Sequence, residues 1–407
     1  MNKVIYTILI LISIDFFSSR FWIELPLRNW LMLALGSAML VVSLYYIFKK
    51  QTQFRMELFF FLITLVFSAL SSNLLYNQGF FDSYRGSMVY TYSIGLYFLA
   101  HHFKLKEDFI FKMLLYVALV FTAIEVVEQF TYPDYWFCGR IEKEENDTVE
   151  MRMGLWRMYI YGIYFCLLSF TLVLQKVIEG KDFISNILLL IVIFIGIVFF
   201  VARKDIYAAV SVVFLGVLFG KGKNSSFVKI IIGALVILSV FVLSETMASL
   251  NEQSADELDD FENFIRVLAA KYFLFDMNSS PFYYMFGAGI PFGNSPLVAK
   301  ITYLANVFRF FQSDCGFIGY FSKVGAFGLL PWVIIIYKIL KNYKYVDLSL
   351  LLFLVIMIEL SFFDFWGQQF RNVAASMLYL YLVDRSITRN KLLNNIPNGK
   401  SLRKAVL

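Results

Sequence analysis

The chain has 407 residues, is 59% hydrophobic and only 16% charged, and carries a mean hydropathy of +0.69 and a net charge of +6. Soluble domains average about 45–50% apolar and about 25% charged, so the composition excludes an ordinary soluble enzyme and points to an all-α polytopic membrane protein. The excess of positive charge follows membrane topology, and no nucleic acid is expected as a partner.

Aromatic residues make up 19% of the chain, with 46 Phe and 25 Tyr, as suits lipid-facing surfaces and interfacial belts. The first apolar run, Val4–Phe17, is followed by Ser-Ser-Arg without a small-residue cleavage pattern, and reads as a retained span. Cys138, Cys166 and Cys315 show no metal-ligand spacing. A Cys138–Cys315 disulfide is chemically allowed; independent free thiols are the favoured reading.

A helix needs about 20 apolar residues to cross a bilayer. By that measure the chain holds twelve spans. They are Lys3–Phe17, Trp30–Phe48, Leu58–Leu75, Met88–Phe103, Phe109–Glu128, Leu155–Val177, Phe183–Val201, Ile206–Phe219, Ile230–Leu243, Gly316–Leu340, Leu348–Phe363 and Val373–Val383. Residues 1–243 thus carry nine spans, 244–313 form one long loop, and 314–407 carry three spans and a basic tail. Cytoplasmic loops are rich in Lys and Arg. Placing the amino terminus inside gathers there Lys49, Lys50 and Arg55, Lys104, Lys106 and Lys112, Lys221, Lys223 and Lys229, and the tail cations. Both termini are then cytoplasmic, and the loops 129–154 and 244–313 lie outside.

Charges inside or beside spans need an explanation, because burial in lipid is costly. Glu125 and Glu128 lie on one helix face near an outer end, and the plain account is that they reach the headgroup layer. Lys323 lies about two turns into the tenth span, counting about 1.5 Å per residue, with Glu359 and Asp364 as candidate counterions. In Ala202-Arg203-Lys204-Asp205, Asp205 could cap the eighth helix. Two adjacent cations exceed what a turn requires, however. The Arg fork matches phosphate oxygens and Lys adds a compact charge, so this turn reads as a site for a lipid-linked diphosphate. Arg152 and Arg157 flank the outer end of the sixth span; snorkelling explains either one alone, and with Arg203 they could line an anionic pocket.

The long loop opens with Glu252, Asp256, Glu257, Asp259, Asp260 and Glu262. Phe261, Phe264, Ile265, Leu268, Tyr272 and Phe275 then recur at helical spacing and predict a helix with that face buried. Arg266 lies on the other face. It is explained either by a pair with Glu262, about 0.2–0.5 kcal/mol, or by the anion that Arg203 would meet. Gly287-Ala288-Gly289 lacks the strand-and-helix context of a nucleotide loop and reads as a turn permitting close backbone approach. Arg309 and Asp314 precede the tenth span, where Asp314 could cap the helix or act as a base.

In order and sidedness these features resemble the O-antigen polymerase and O-antigen ligase superfamily, membrane glycosyltransferases of the GT-C type. The resemblance rests on Met151-Arg152-Met153-Gly154, Ala202-Arg203-Lys204-Asp205, Arg266, Gly287-Ala288-Gly289, Asp314-Cys315-Gly316-Phe317 and Lys323-Val324-Gly325-Ala326-Phe327-Gly328. It covers roughly 152–328 and the whole-chain topology. It implies a bacterial inner-membrane enzyme that transfers a glycan from undecaprenyl diphosphate to a sugar hydroxyl at the periplasmic face, without cofactor or metal. The implied catalytic residues are Arg203, Arg266 and Asp314, with Arg152, Arg157, Lys204, Arg309 and Lys323 binding substrate. Its partners would be the undecaprenyl-diphosphate-linked oligosaccharide, membrane lipids and a chain-length regulator protein. Ligases of this superfamily usually place a histidine in or after the outer loop, whereas the two here, His101 and His102, fall on the cytoplasmic side. Polymerase is therefore expected over ligase. A flippase of lipid-linked sugars is the rival from another class, and would require charge along a central path and related halves.

Overall fold

A computed structural model describes residues 1–49, 52–132, 134, 136–137, 151–152, 155–156, 158, 160–220, 264–368 and 370–394, without the side chains of 151, 152, 370 and 371. It is almost entirely helical. Helices α1 (Asn2–Ser13), α2 (Arg28–Lys49), α3 (Arg55–Tyr76), α4 (Phe80–His102) and α5 (Glu107–Thr131) are followed by α6 (Ile163–Glu179), α7 (Phe183–Phe199) and α8 (Arg203–Phe219). Short helices α9 (Ile265–Lys271), α10 (Pro281–Phe286) and α11 (Pro296–Phe308) then lead to α12 (Gly316–Lys341), α13 (Leu348–Leu360) and α14 (Phe370–Asn394). Four segments are long and apolar enough to cross a membrane: α2, α3, α5 and Gln312–Lys341; α1, α7, α11 and α13 are shorter apolar helices. Phe48, Val66, Leu74, Tyr116, Phe130, Ile184 and Phe214 point outward from this set of helices, far more exposed apolar surface than a water-soluble monomer carries.

Eleven of the expected spans coincide with a helix at least in part, and the ninth, Ile230–Leu243, lies outside the described residues. Three boundaries differ for identifiable reasons. The first helix stops at Ser13 because Asp15–Ser18 all take positive φ, a turn held by Asp15 accepting from Trp22 Nε1 at 2.8 Å and Arg28 at 2.9 Å. The fourth begins at Phe80 rather than Met88, its first turns carrying Asp82 and Arg85, which hydropathy discounts. The sixth begins only at Ile163, since Met151 pairs with Trp156 and Arg152 with Leu155 in a minimal antiparallel hairpin.

Helices α4 and α14 pack together at the centre and are the less hydrophobic ones. Tyr90, Tyr92 and Tyr97 are fully buried on α4, and each hydroxyl donates: to Gln368 O (3.1 Å), Leu9 O (2.7 Å) and Asp384 Oδ2 (2.8 Å). A helix surrounded by protein can keep such groups, because a buried hydroxyl is inexpensive once it has an acceptor. Helices that face outward cannot.

Helix α12 is broken at Gly325, whose φ of 65° and ψ of −169° leave the helical region. The break frees carbonyls that must find donors. Ala288 N donates to Ser322 O at 2.8 Å, Gly289 N to Lys323 O at 3.0 Å, and Ser68 Oγ to Lys323 O at 2.7 Å. A Cβ on Gly287 (φ +76°) would lie 2.2 Å from the Lys323 backbone, and one on Gly325 would lie 2.4 Å from Met285. The Gly-Ala-Gly turn therefore allows close approach, as expected, and what it approaches is a broken helix.

Candidate functional site

Helix α8 starts abruptly. Val201 ends the preceding turn at φ +56°, a region that a β-branched side chain avoids and that costs on the order of 1–3 kcal/mol. Arg203 and Lys204 open the helix half-buried. Asp205 does not cap it: the N-cap is Ala202, without a side-chain cap, and Asp205 is buried in the first turn, where the helix dipole favours an acid.

Lys204 Nζ lies 3.2 Å from Asp364 Oδ2. The amide of the buried Asn372 donates to both Asp364 oxygens at 3.3 and 3.2 Å. Asp364 is anchored through its backbone as well, its N–H donating to Leu360 O at 2.7 Å and its carbonyl accepting from Tyr164 Oη at 3.1 Å. The charge of Asp364 also reaches Lys323, which forms no ion pair among the described residues. Lys204 is thus the lysine that pairs with this carboxylate. Glu359, the other expected counterion for Lys323, instead accepts from Ser211 Oγ at 2.9 and 2.8 Å.

The same α13–α14 connection reaches the end of the long loop. Gln368 Nε2 donates to Gln312 O at 2.9 Å, Gln312 Nε2 to Ser322 Oγ at 2.7 Å, and Phe317 N to Ser361 O at 2.9 Å. Trp366 Nε1 and Gln368 Oε1, both buried, have no hydrogen-bond partner among the described residues; a group left this way is costly.

On the loop, Asp314 is exposed in a short 3-10 turn, Gln312–Cys315, where Ser313 Oγ donates to it at 3.1 Å. It does not cap α12, whose N-cap is Cys315. Helix α9 rests on this turn: the charges of Arg266 and Asp314 both reach the buried Cys315 thiol. Arg266 is exposed, as is Arg309, which ends α11 at φ +58°. Arg203, Arg266 and Arg309 form no ion pair among the described residues.

The buried face of the loop helix is a correction. Ala269, Phe273 and Met277 face inward, toward Tyr76, Tyr283 and Cys315, whereas Ile265, Leu268 and Phe275 are exposed. The π-turn at Tyr272–Asp276 shifts the phase of Phe275, while upstream of it the small Ala269, and not Ile265 or Leu268, is the residue that faces inward. Gln78, fully buried, ties the rest of the loop down by donating to Ile290 O at 2.8 Å and accepting from Ser295 Oγ at 2.8 Å.

Arg152 contributes only its backbone pairing to the described structure, and Arg157, Glu262 and Cys138 lie outside it, as does the acidic run 252–260. Cys166 and Cys315 are free and buried. The headgroup account of Glu125 and Glu128 is overturned, for both are buried. Glu128 caps the following turn, accepting from Trp136 N at 3.0 Å and Phe137 N at 3.1 Å. Glu125 has no hydrogen-bond partner among the described residues. Sequence reasoning missed Asn372, Gln312 and Gln368 altogether, and treated Asp364 only as a neutraliser of Lys323. The available signal was the polar run Asp364 to Asn372 between two apolar spans.

What the arrangement offers chemically is a set of cations beside an adjoining loop that carries exposed carboxylates, Asp314 among them. Among the described residues no group of three or more His, Cys, Asp or Glu side chains could hold a metal. No family model, no curated protein and no solved structure matches the chain.

Proposed function

We propose that the protein is a polysaccharide polymerase of the O-antigen type. It moves a growing glycan from undecaprenyl diphosphate to a sugar hydroxyl of a second lipid-linked repeat unit. In this reading the chain crosses the bacterial inner membrane twelve times, both termini are cytoplasmic, and the site opens to the periplasm. The acceptor oxygen attacks the anomeric carbon while the bond from that carbon to the diphosphate oxygen breaks. Arg203 and Arg266 neutralise the charge developing on the departing lipid diphosphate, and Asp314 takes the acceptor proton. Lys204, Lys323 and Arg309, with Arg152 and Arg157, hold the anion and its sugars. Charge stabilisation of this kind is commonly the largest catalytic term.

The observation that carries the reading is the Lys204–Asp364 ion pair at the start of α8, beside an Arg203 without an ion pair among the described residues. Such a surplus suits an anion that arrives with the substrate. The exposure of Asp314 and the seating of Arg266 against the Asp314–Cys315 turn add support.

The test is purified protein incubated with undecaprenyl-diphosphate-linked repeat units in the absence of divalent metal. Lengthened glycan on the lipid is the expected product. Transfer only to lipid A–core would replace polymerase by ligase, and lengthening abolished by EDTA would sink the metal-free chemistry.

A further inference from the structure

We propose that helix α11 lies in the membrane surface, with Tyr303, Val307 and Phe308 set among the acyl chains of the leaflet in which α12 begins. The partner of this face is lipid. Such a contact needs only that α12 crosses a membrane, and it is independent of the polymerase reading.

Helix α11 has a defined start and stop. Ser295 caps it, its hydroxyl accepting from Val298 N at 3.3 Å, Pro296 opens it, and Arg309 ends it at φ +58°. Its 13 residues reach about 20 Å at about 1.5 Å per residue, too short for a hydrocarbon core of about 30 Å. Side chains three and four apart share a helix face. Leu297, Ile301 and Leu304 pack on the loop core with Phe273 and Tyr283. Thr302 and Asn306 form an exposed polar line. Tyr303 and Val307 form an exposed apolar line, at 57% and 56%, and Phe308 extends it at 46%. A helix on a water-soluble surface needs an apolar face for the core and a polar face for water. The additional apolar line is what an interfacial helix turns toward lipid.

What covers that line follows from where it leads. The Tyr303 ring meets Phe308 at 5.8 Å, and Phe308 meets Phe310 at 5.6 Å. Only 309–315 then separate α11 from α12. Gln312 is pressed so closely on the first turns of α12 that a Cβ on Gly319 would lie 1.8 Å from its carbonyl oxygen. That packing holds the exposed Phe311 beside α12. On α12 the outward line continues with Phe317, whose ring meets Phe362 at 6.1 Å, and then with Val333 and Tyr337. Segment Gln312–Lys341 is long and apolar enough to cross a membrane, so the surface that α11 joins is the lipid-facing one. An exposed apolar strip continuous with such a surface marks membrane contact. Tyr303 suits that depth, because an aromatic ring with a polar tip is favoured where the bilayer meets water.

The experiment uses the full chain in vesicles of phosphatidylethanolamine and phosphatidylglycerol. Nitroxide labels are attached through Thr302→Cys, Tyr303→Cys, Asn306→Cys and Val307→Cys in a Cys138→Ser background, since Cys166 and Cys315 are buried. Val333→Cys supplies the lipid-facing reference. Relaxation of each label by oxygen, which concentrates in lipid, is compared with relaxation by a water-soluble nickel chelate. The oxygen-to-nickel ratio at 303 and 307 is expected to exceed that at 302 and 306 about fivefold or more, and to lie between theirs and that at 333. Equal, low ratios at the four α11 positions place the helix in water and overturn the proposal. Exclusion of both reagents at 303 and 307 means that protein covers the line, whether another part of the chain or a second copy, and overturns it too. Should the variants fail to fold, the wild type decides: a lipid-partitioning diazirine is photolysed in the vesicles and the tryptic peptide 301–309 is recovered. Carbene insertion at Tyr303 or Val307 supports the lipid contact, whereas an unlabelled 301–309 beside a labelled α12 is fatal.

Discussion

At one end of the helices Arg389 sits between Glu107 and Asp347, Lys338 meets Glu57 at 2.6 Å, and His101 meets Asp384 at 3.2 Å. At the other, around the start of α8 and the 264–315 segment, Lys204 meets Asp364 at 3.2 Å, while Arg203, Arg266 and Arg309 form no ion pair among the described residues. Arg28, also at that second end, is matched by Asp15, so lone cations are not a general property of that end. Lysines without an ion pair among the described residues occur at the first end too, among them Lys104, Lys106, Lys112, Lys341 and Lys344; those of the second end include three arginines. Matched pairs hold helices to one another; the half-buried Arg203, lacking such a pair, adds nothing of this kind and is the cation that most needs another use.

The comparison is broken most severely by removing the unmatched charges. Arg203→Ala and Arg266→Ala should each lower glycan lengthening by 10²–10³-fold, about 2.7–4 kcal/mol of transition-state stabilisation, with the thermal midpoint unchanged. Wild-type turnover in either variant would take that arginine out of the site. Gly287→Ala should act on folding instead. It combines a left-handed backbone, about 1–3 kcal/mol, with overpacking against the Lys323 backbone, about 1–3 kcal/mol more. The readout is the thermal midpoint and the yield of monodisperse protein, and a fully stable variant would contradict the packing of the loop on the helix break.

At the matched end, burial pushes the Asp384 carboxyl upward, but hydrogen bonds from His101, Tyr97 and Gln53 N, with the charge of His101, bring it below its ordinary value. A carboxyl lowered in the folded state adds stability that is complete above its unfolded pKa and is lost as pH falls through the folded one. Asp384→Asn should therefore lower the midpoint near neutral pH and lessen its fall on acidification, while leaving glycan lengthening intact. Loss of lengthening would mean that the two ends are not independent. The smallest effect on stability is expected for Arg309→Gly, which relieves a left-handed residue at a helix end, about 1 kcal/mol, while the loss of its charge from the anion-binding group should lower lengthening. Lengthening within twofold of wild type would place the Arg309 side chain outside the site.

Much of the helical layout was legible in the sequence because lipid-facing helices must be apolar over a fixed length. The Arg203-Lys204 turn was legible too, since a tight turn between adjacent apolar runs does not by itself require two cations. The fate of Glu125, the inward face of Ala269, Phe273 and Met277, and the delayed start at Ile163 were not. Each depends on which neighbour a side chain meets or on a local change of helical period, and neither leaves a mark in composition.

By itself the sequence determined the apolar class of the chain, the placement of most helices, the need for close approach at Gly287-Ala288-Gly289, and Arg203 with Lys204 as a charged pair at a helix start. Those follow from hydropathy, helical period and steric limits, which act over a few residues. Tertiary structure alone decided that the glycine turn closes a break at Gly325, that Lys204 meets Asp364, and that Gln312 and Gln368 join the loop to the connection that carries that carboxylate. These residues lie far apart along the chain, and only the packing of α3, α8, α12 and the α13–α14 connection brings their atoms within a few ångströms.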